Sequence, residues 1–154
     1  MNSPNDIVIN KIESIQRCVK RAREELAAAD DFAHDYTHQD AAILNVTRSC
    51  EQAIDLANHM IRRDKLGIPK DSGDTFDLLA NRRLIEDELS RKLKKMVGFR
   101  NIAVHEYQDI DIEIVRSVIR DGLDDLLEFT DRVLEWARES ESAVPGPSRV
   151  PTAR

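Results

Sequence analysis

The chain has 154 residues, of which 34% are charged and 5% aromatic, with five Gly, five Pro and a net charge of −6 at pH 7. That length gives one domain with enough chain for a hydrophobic core, and the composition suits helices with solvated outer faces rather than a β-sandwich or barrel. The acidic balance excludes a broad basic surface gripping a long duplex but leaves room for a local basic spot.

Two cysteines, Cys18 and Cys50, are too few for a disulfide framework. Both fall at apolar positions of a helical pattern and read as buried thiols of a reducing compartment. Residues 1–10 lack an apolar run behind a basic start, so no secretory signal is expected. No stretch is long and apolar enough to span a bilayer. The chain reads as cytosolic, with no membrane partner.

The first helix is expected over residues 5–29, where Val8, Ile12, Ile15, Val19, Ala22 and Leu26 step by fours and threes onto one face. Residues 30–39 are polar and mixed and read as a connector. His34 and His38 lie there as solvated side chains, with too few ligands in register for a metal site. The second helix is expected over 40–65, with Ile43, Val46, Cys50, Ala53, Ala57 and Met60 inside and Ile54 and Ile61 widening the stripe. Gly67 should end it and Pro69 prevent its resumption. Asp71 or Ser72 can cap a short third helix through Phe76, Leu78 and Leu79.

The fourth helix holds Ile85, Leu89, Leu93, Met96 and Val97. Glu86, Asp87 and Glu88 begin it, and Arg91, Lys92, Lys94 and Lys95 follow, in keeping with the helix dipole. Lys94 and Lys95 stand just before the most unusual segment of the chain and are candidates for attracting phosphate. Asp109 and Asp111 signal the start of a last long helix reaching about residue 138, with Ile112, Val115, Ile119, Leu123, Leu126, Val133 and Ala137 inside and Phe129 and Trp136 beside them. After Ser140 the composition shifts to a Pro- and Ser-containing tail, so residues 1–139 are expected to fold and 140–154 to be disordered. Four long helices and one short one, briefly connected, make an all-α antiparallel bundle. Its wide stripes also suit packing against a second copy of the chain.

Packing and solvation account for most of the chain but not for Arg100, Asn101, His105 and Tyr107. At about 100° per residue, Arg100 and His105 would stand roughly 140° apart on one helix. Either the helix breaks near His105, or two copies complete each other's site. RNA carries its own nucleophile, the 2′-hydroxyl. Cleavage by internal attack needs a base, an acid and positive charge on the phosphate, with no metal or other cofactor. His105 can gain and lose a proton near neutral pH. Arg100 is a bidentate phosphate clamp. Asn101 can orient the imidazole or donate to a phosphate oxygen, and Tyr107 can hydrogen-bond the substrate or stack a base. One motif histidine per chain is one short of a separate acid and base, and two facing protomers would supply both. The bland alternative is that His105 caps a helix and Arg100 makes surface ion pairs.

Arg100-x4-His105-x-Tyr107 resembles the signature of the HEPN superfamily, and the string from Met96 to Tyr107 is similar to its HepT branch. Ala57-Asn58-His59-Met60-Ile61, Gly67-Ile68-Pro69 and Thr75-Phe76-Asp77-Leu78-Leu79 extend the likeness, which covers roughly residues 5–138. The resemblance implies a HEPN-like helical bundle that dimerises to bring two Arg/His motifs into one cleft. It further implies a metal-independent endoribonuclease toxin of a type VII-like toxin–antitoxin pair, with Arg100 and His105 catalytic and Asn101 supporting. The implied partner is a minimal nucleotidyltransferase antitoxin that adenylylates Tyr107. A second reading keeps that partner but makes the chain a noncatalytic helical docking protein.

Overall fold

The structure is a computed structural model that describes residues 4–143. Its elements are α1 (Pro4–Ala28), a 3-10 turn (Phe32–His34), α2 (Tyr36–Asp64), α3 (Ser72–Asn81), α4 (Asp87–His105), a second 3-10 turn (Tyr107–Asp109), α5 (Ile112–Ser117), a π-turn (Val118–Gly122) and α6 (Leu123–Ala143). The described residues contain no strand. The all-α bundle expected from the apolar periodicity is what forms. Among the described residues, no helix is long and apolar enough to cross a membrane.

The stripes read from the sequence are the core. Val8, Ile12, Ile15, Val19 and Ala22 of α1 are buried, as are Ile43, Val46, Cys50, Ala53, Ala57 and Met60 of α2. These two faces meet along most of their length, giving the longest helix–helix contact in the fold. Leu89, Leu93, Met96 and Val97 of α4 and Leu123, Leu126, Phe129 and Val133 of α6 close the core from the other side. Phe76 of α3 meets Phe129 edge to face, with ring centroids 5.5 Å apart, the arrangement that the aromatic quadrupole favours. Trp136 is buried and its indole N–H donates to an Asp64 carboxylate oxygen at 2.6 Å, tying α6 to the end of α2.

Local chemistry moved several boundaries. α2 begins at Tyr36, inside the expected connector, because Asp35 caps it: its carboxylate accepts from the His38 backbone N–H at 3.0 Å and lies 2.6 Å from His38 Nδ1. His38 is therefore a helical residue and not a loop one. The backbone N–H donated by His38 is the main cause holding the Asp35 carboxyl below its ordinary range. His34 remains exposed, with its ring 2.9 Å from Asp31. α2 ends one turn before Gly67: Lys65 takes the left-handed conformation (φ 56°) and Leu66 N–H donates to the Ile61 carbonyl at 3.0 Å. Such a cap is ordinarily a glycine position. Asp71 caps α3 as expected, accepting from Asp74 N–H at 2.8 Å.

The last helix is not continuous. The π-turn at Val118–Gly122 interrupts it, and Gly122 explains the tolerance: a Cβ there would lie 2.9 Å from Met96 Sδ on α4. The missing side chain lets the widened turn press against the helix that carries the motif. Of the two thiols, Cys50 is buried, but Cys18 is only partly so, because it sits at the edge of the α1 stripe and not within it. α6 continues to Ala143, so the backbone of the first residues of the expected tail is helical; the rest of that tail lies outside the described residues.

Candidate functional site

Helix α4 carries Arg100, Asn101 and His105 and ends at His105. Glu106 N–H donates to the Ile102 carbonyl at 2.8 Å, and the chain then folds into the 3-10 turn that holds Tyr107. Asp111 restarts the helix by accepting from Glu113 N–H at 2.9 Å. The helix thus stops immediately after His105, and Tyr107 does not share the Arg100 face that an unbroken helix would have given it. Arg100 and His105 remain on one regular helix, so they leave its axis in directions about 140° apart.

The Arg100 side chain is 20% exposed, with Nη1 3.7 Å from Glu51 Oε2 of α2. Its Nη2 donates to Ser72 Oγ at the start of α3 at 3.3 Å, and its Nε to Asn101 Oδ1 at 3.0 Å. Three elements therefore fix the guanidinium while leaving part of it open to solvent. Asn101 orients the arginine, a partner not expected from the sequence; among the described residues its amide N–H2 donates to no acceptor. His105 is exposed, and among the described residues no hydrogen bond or ion pair engages its ring.

Tyr107 is 44% exposed, and its hydroxyl donates to the Asp40 carboxylate on α2. Burial, followed by the bond to Asp40 and the charge of that carboxylate, pushes the phenol up to about 12. The neutral, protonated phenol is the form held here.

The basic run before the motif is mostly matched. Arg91 pairs with Glu88, Lys92 lies 3.8 Å from Asp125, and Lys94 lies 3.1 Å from Asp77. Among the described residues Lys95 alone of this run has no carboxylate partner. A groove of roughly 440 Å³ between α3 and α4 is lined by Lys94, Lys95, Arg91 and Asp77, among others, one to two turns before Arg100. Ile102 and Val104, on the motif's own segment, and Leu44 on α2 are exposed apolar side chains.

Glu51, Ser72 and Asp40 belong to this site and were not legible as such in the sequence. Each lies on another element, 49, 28 and 67 residues from its motif partner, and no local pattern marks it. In chemical terms, the site offers a fixed, partly open guanidinium, an unengaged imidazole and a tyrosine hydroxyl held by a carboxylate.

The family model described as "Ribonuclease HepT-like" matches residues 9–133. The chain is 50% identical over 127 residues to the mRNA nuclease HepT of Shewanella oneidensis, covering 82% of this chain and 96% of that protein. It is 26% identical to a tRNA nuclease HepT of Aphanizomenon flos-aquae, over 68% of this chain and 72% of that one. Among solved structures, the tri-AMPylated Shewanella oneidensis HEPN toxin in complex with MNT antitoxin matches with a TM-score of 0.81 and 48% identity, covering 88% of this chain and 99% of the other. With that match spanning nearly the whole described bundle and the motif set at the exposed end of α4, the chain belongs to the HepT-like ribonuclease family.

Proposed function

We propose that this protein is an RNA-cleaving toxin neutralised by a nucleotidyltransferase antitoxin, acting in the cytoplasm with no metal or other cofactor. The observation that carries the reading is the 50% identity to an mRNA nuclease across 96% of that relative, together with a complete Arg-x4-His-x-Tyr string at a solvent-open helix end.

In the proposed reaction His105 removes the proton of a 2′-hydroxyl, whose oxygen attacks the neighbouring phosphorus. The bond to the 5′-oxygen breaks, and a second imidazole protonates that oxygen. Arg100 holds the non-bridging oxygens as their charge grows, an electrostatic contribution that is strongest when the clamp is fixed beforehand. Glu51, Ser72 and Asn101 provide that fixing. Because Arg100 and His105 point apart within one chain, the second copy supplies the opposing histidine. The exposed Ile102, Val104 and Leu44 beside the motif give a homodimer an apolar surface to cover.

Tyr107 is the proposed modification site. An antitoxin transferring nucleotide to its hydroxyl would place negative charge within the motif, where it repels an RNA backbone or occupies the arginine. The likeness to a tri-AMPylated HEPN toxin supports this reading.

The test is incubation of the purified chain with total RNA, with and without chelator. Cleavage that survives chelator and is lost in Arg100→Ala and His105→Ala is the expected result. RNA that stays intact at high protein concentration would leave the noncatalytic docking partner as the better reading.

A further inference from the structure

Positive charge on this acidic chain gathers in a second place. A groove of roughly 400 Å³ opens between α1 and α2, with Arg17, Lys20 and Arg21 on one wall and Arg48 on the other. Among the described residues Glu24 is the only carboxylate lining it, and it reaches Arg21 alone, at 4.0 Å. Glu13 stands four residues before Arg17, and Glu24 four after Lys20, positions from which helix ion pairs commonly form. Neither pair closes, and among the described residues Arg17, Lys20 and Arg48 have no carboxylate partner. The α4 run, by comparison, is largely neutralised by Glu88, Asp125 and Asp77.

Three arginines, Arg17, Arg21 and Arg48, line this one groove together with Cys18. Burial raises the Cys18 thiol, and the charges of Arg48, Arg17 and Arg21 act against it. The groove also adjoins the motif. Arg48 precedes Glu51 on α2 by three residues, about 4.5 Å along the axis, and Glu51 is the carboxylate beside Arg100. No large apolar side chain projects among the groove's α2 residues, Asn45 and Arg48. A protein partner of ordinary interface size calls for an apolar centre, whereas clustered guanidinium forks match phosphate oxygens.

We propose that the α1–α2 groove binds the phosphate backbone of the RNA strand cut at the motif, as a sequence-independent track leading away from the scissile bond. This rests on the ribonuclease reading and adds to it the source of RNA affinity on a protein of charge −6.

The experiment uses the full chain carrying His105→Ala, so that RNA is bound without being cut, and a labelled single-stranded RNA of about 20 nucleotides. Binding is measured across a salt series with and without Arg17→Ala, Lys20→Ala and Arg48→Ala together. All three residues are exposed, and circular dichroism checks that the fold is kept. Removing three phosphate contacts should weaken binding at least about tenfold at low salt and flatten the slope of log K against log salt by about 2. In the otherwise native chain, the same triple variant should cut long RNA more slowly while cutting a trinucleotide at the parental rate. Unchanged affinity and slope, or equal loss on long and short substrates, would overturn the proposal. So would loss of antitoxin binding with RNA binding intact, which would assign the groove to the protein partner. If the native chain cuts RNA and the triple variant binds as its parent does, the groove fails and the ribonuclease reading stands. If the native chain cuts nothing yet RNA binding depends on the groove, phosphate binding by the groove stands while the ribonuclease reading, and with it the track to a scissile bond, falls; a chain that neither binds nor cuts RNA ends both.

Discussion

The Tyr107 hydroxyl donates to the Asp40 carboxylate, joining the 3-10 turn after α4 to the first turns of α2 across 67 residues of sequence. Burial first, and then the bond to Asp40 and the charge of that carboxylate, move the phenol up to about 12 and keep it protonated. Nucleotide transfer to that oxygen removes the donated hydrogen and sets a phosphate against a carboxylate, so modification must break this tie.

An absorbance titration of the phenolate, in a Tyr36→Phe background that leaves Tyr107 as the single tyrosine, should show ionisation near 12. Asp40→Ala should bring it down toward the ordinary tyrosine range. The raised value favours the folded state below about pH 10, and that contribution is lost as pH climbs toward 12. The native chain should therefore lose stability over this window by more than the Tyr107→Phe variant does. A phenol that titrates identically with and without Asp40 would remove the carboxylate from the site.

Replacing His105 with Ala removes a proton-transfer group, and such groups contribute about 100- to 10,000-fold. Cleavage of RNA should fall by at least the lower figure, with the helical signal and the oligomeric state retained, since the side chain is exposed. Arg100→Ala should match it in rate. Sedimentation and RNA cleavage measured on the same samples check both; a variant pair that still cuts would show that the chemistry lies elsewhere.

Lys94 and Lys95 are neighbours in sequence but not equivalent. Lys94 is matched by Asp77 at 3.1 Å, while Lys95 has no carboxylate partner among the described residues. RNA binding by the His105→Ala protein should weaken on Lys95→Ala, with the salt slope falling by about 0.7, the single-strand value for one phosphate contact. Lys94→Ala should change the slope by much less. Equal effects would indicate that RNA displaces Asp77 from Lys94.

The two thiols should differ in reactivity. Cys50 is buried and its thiol is pushed up to about 12 by burial, so it should resist alkylation in the folded chain. Cys18 is partly exposed and should react first. Intact mass after iodoacetamide should show one adduct on folded protein and two after denaturation, with Cys18→Ser abolishing the first.

What the sequence carries by itself is the helical architecture and the identity of the motif. The stripe from Val8 to Ala22 and that from Ile43 to Met60 record which face of each helix must leave water, and periodicity is a property of neighbouring residues along one chain. The same holds for the cap at Asp71. Local pattern failed where several conformations were compatible with the same residues: Lys65 in place of Gly67 as the end of α2, Asp35 starting that helix early, and the π-turn that Gly122 permits against Met96. Only the packed structure decided which charges remain available. Whether Arg100 meets Glu51 and Ser72, whether Lys94 is neutralised by Asp77, and whether Arg17 and Arg48 stand unmatched across one groove all depend on how separate helices dock. Electrostatic pairing is set by distance in space and by exposure to solvent, and neither quantity is written in the spacing of residues along a chain.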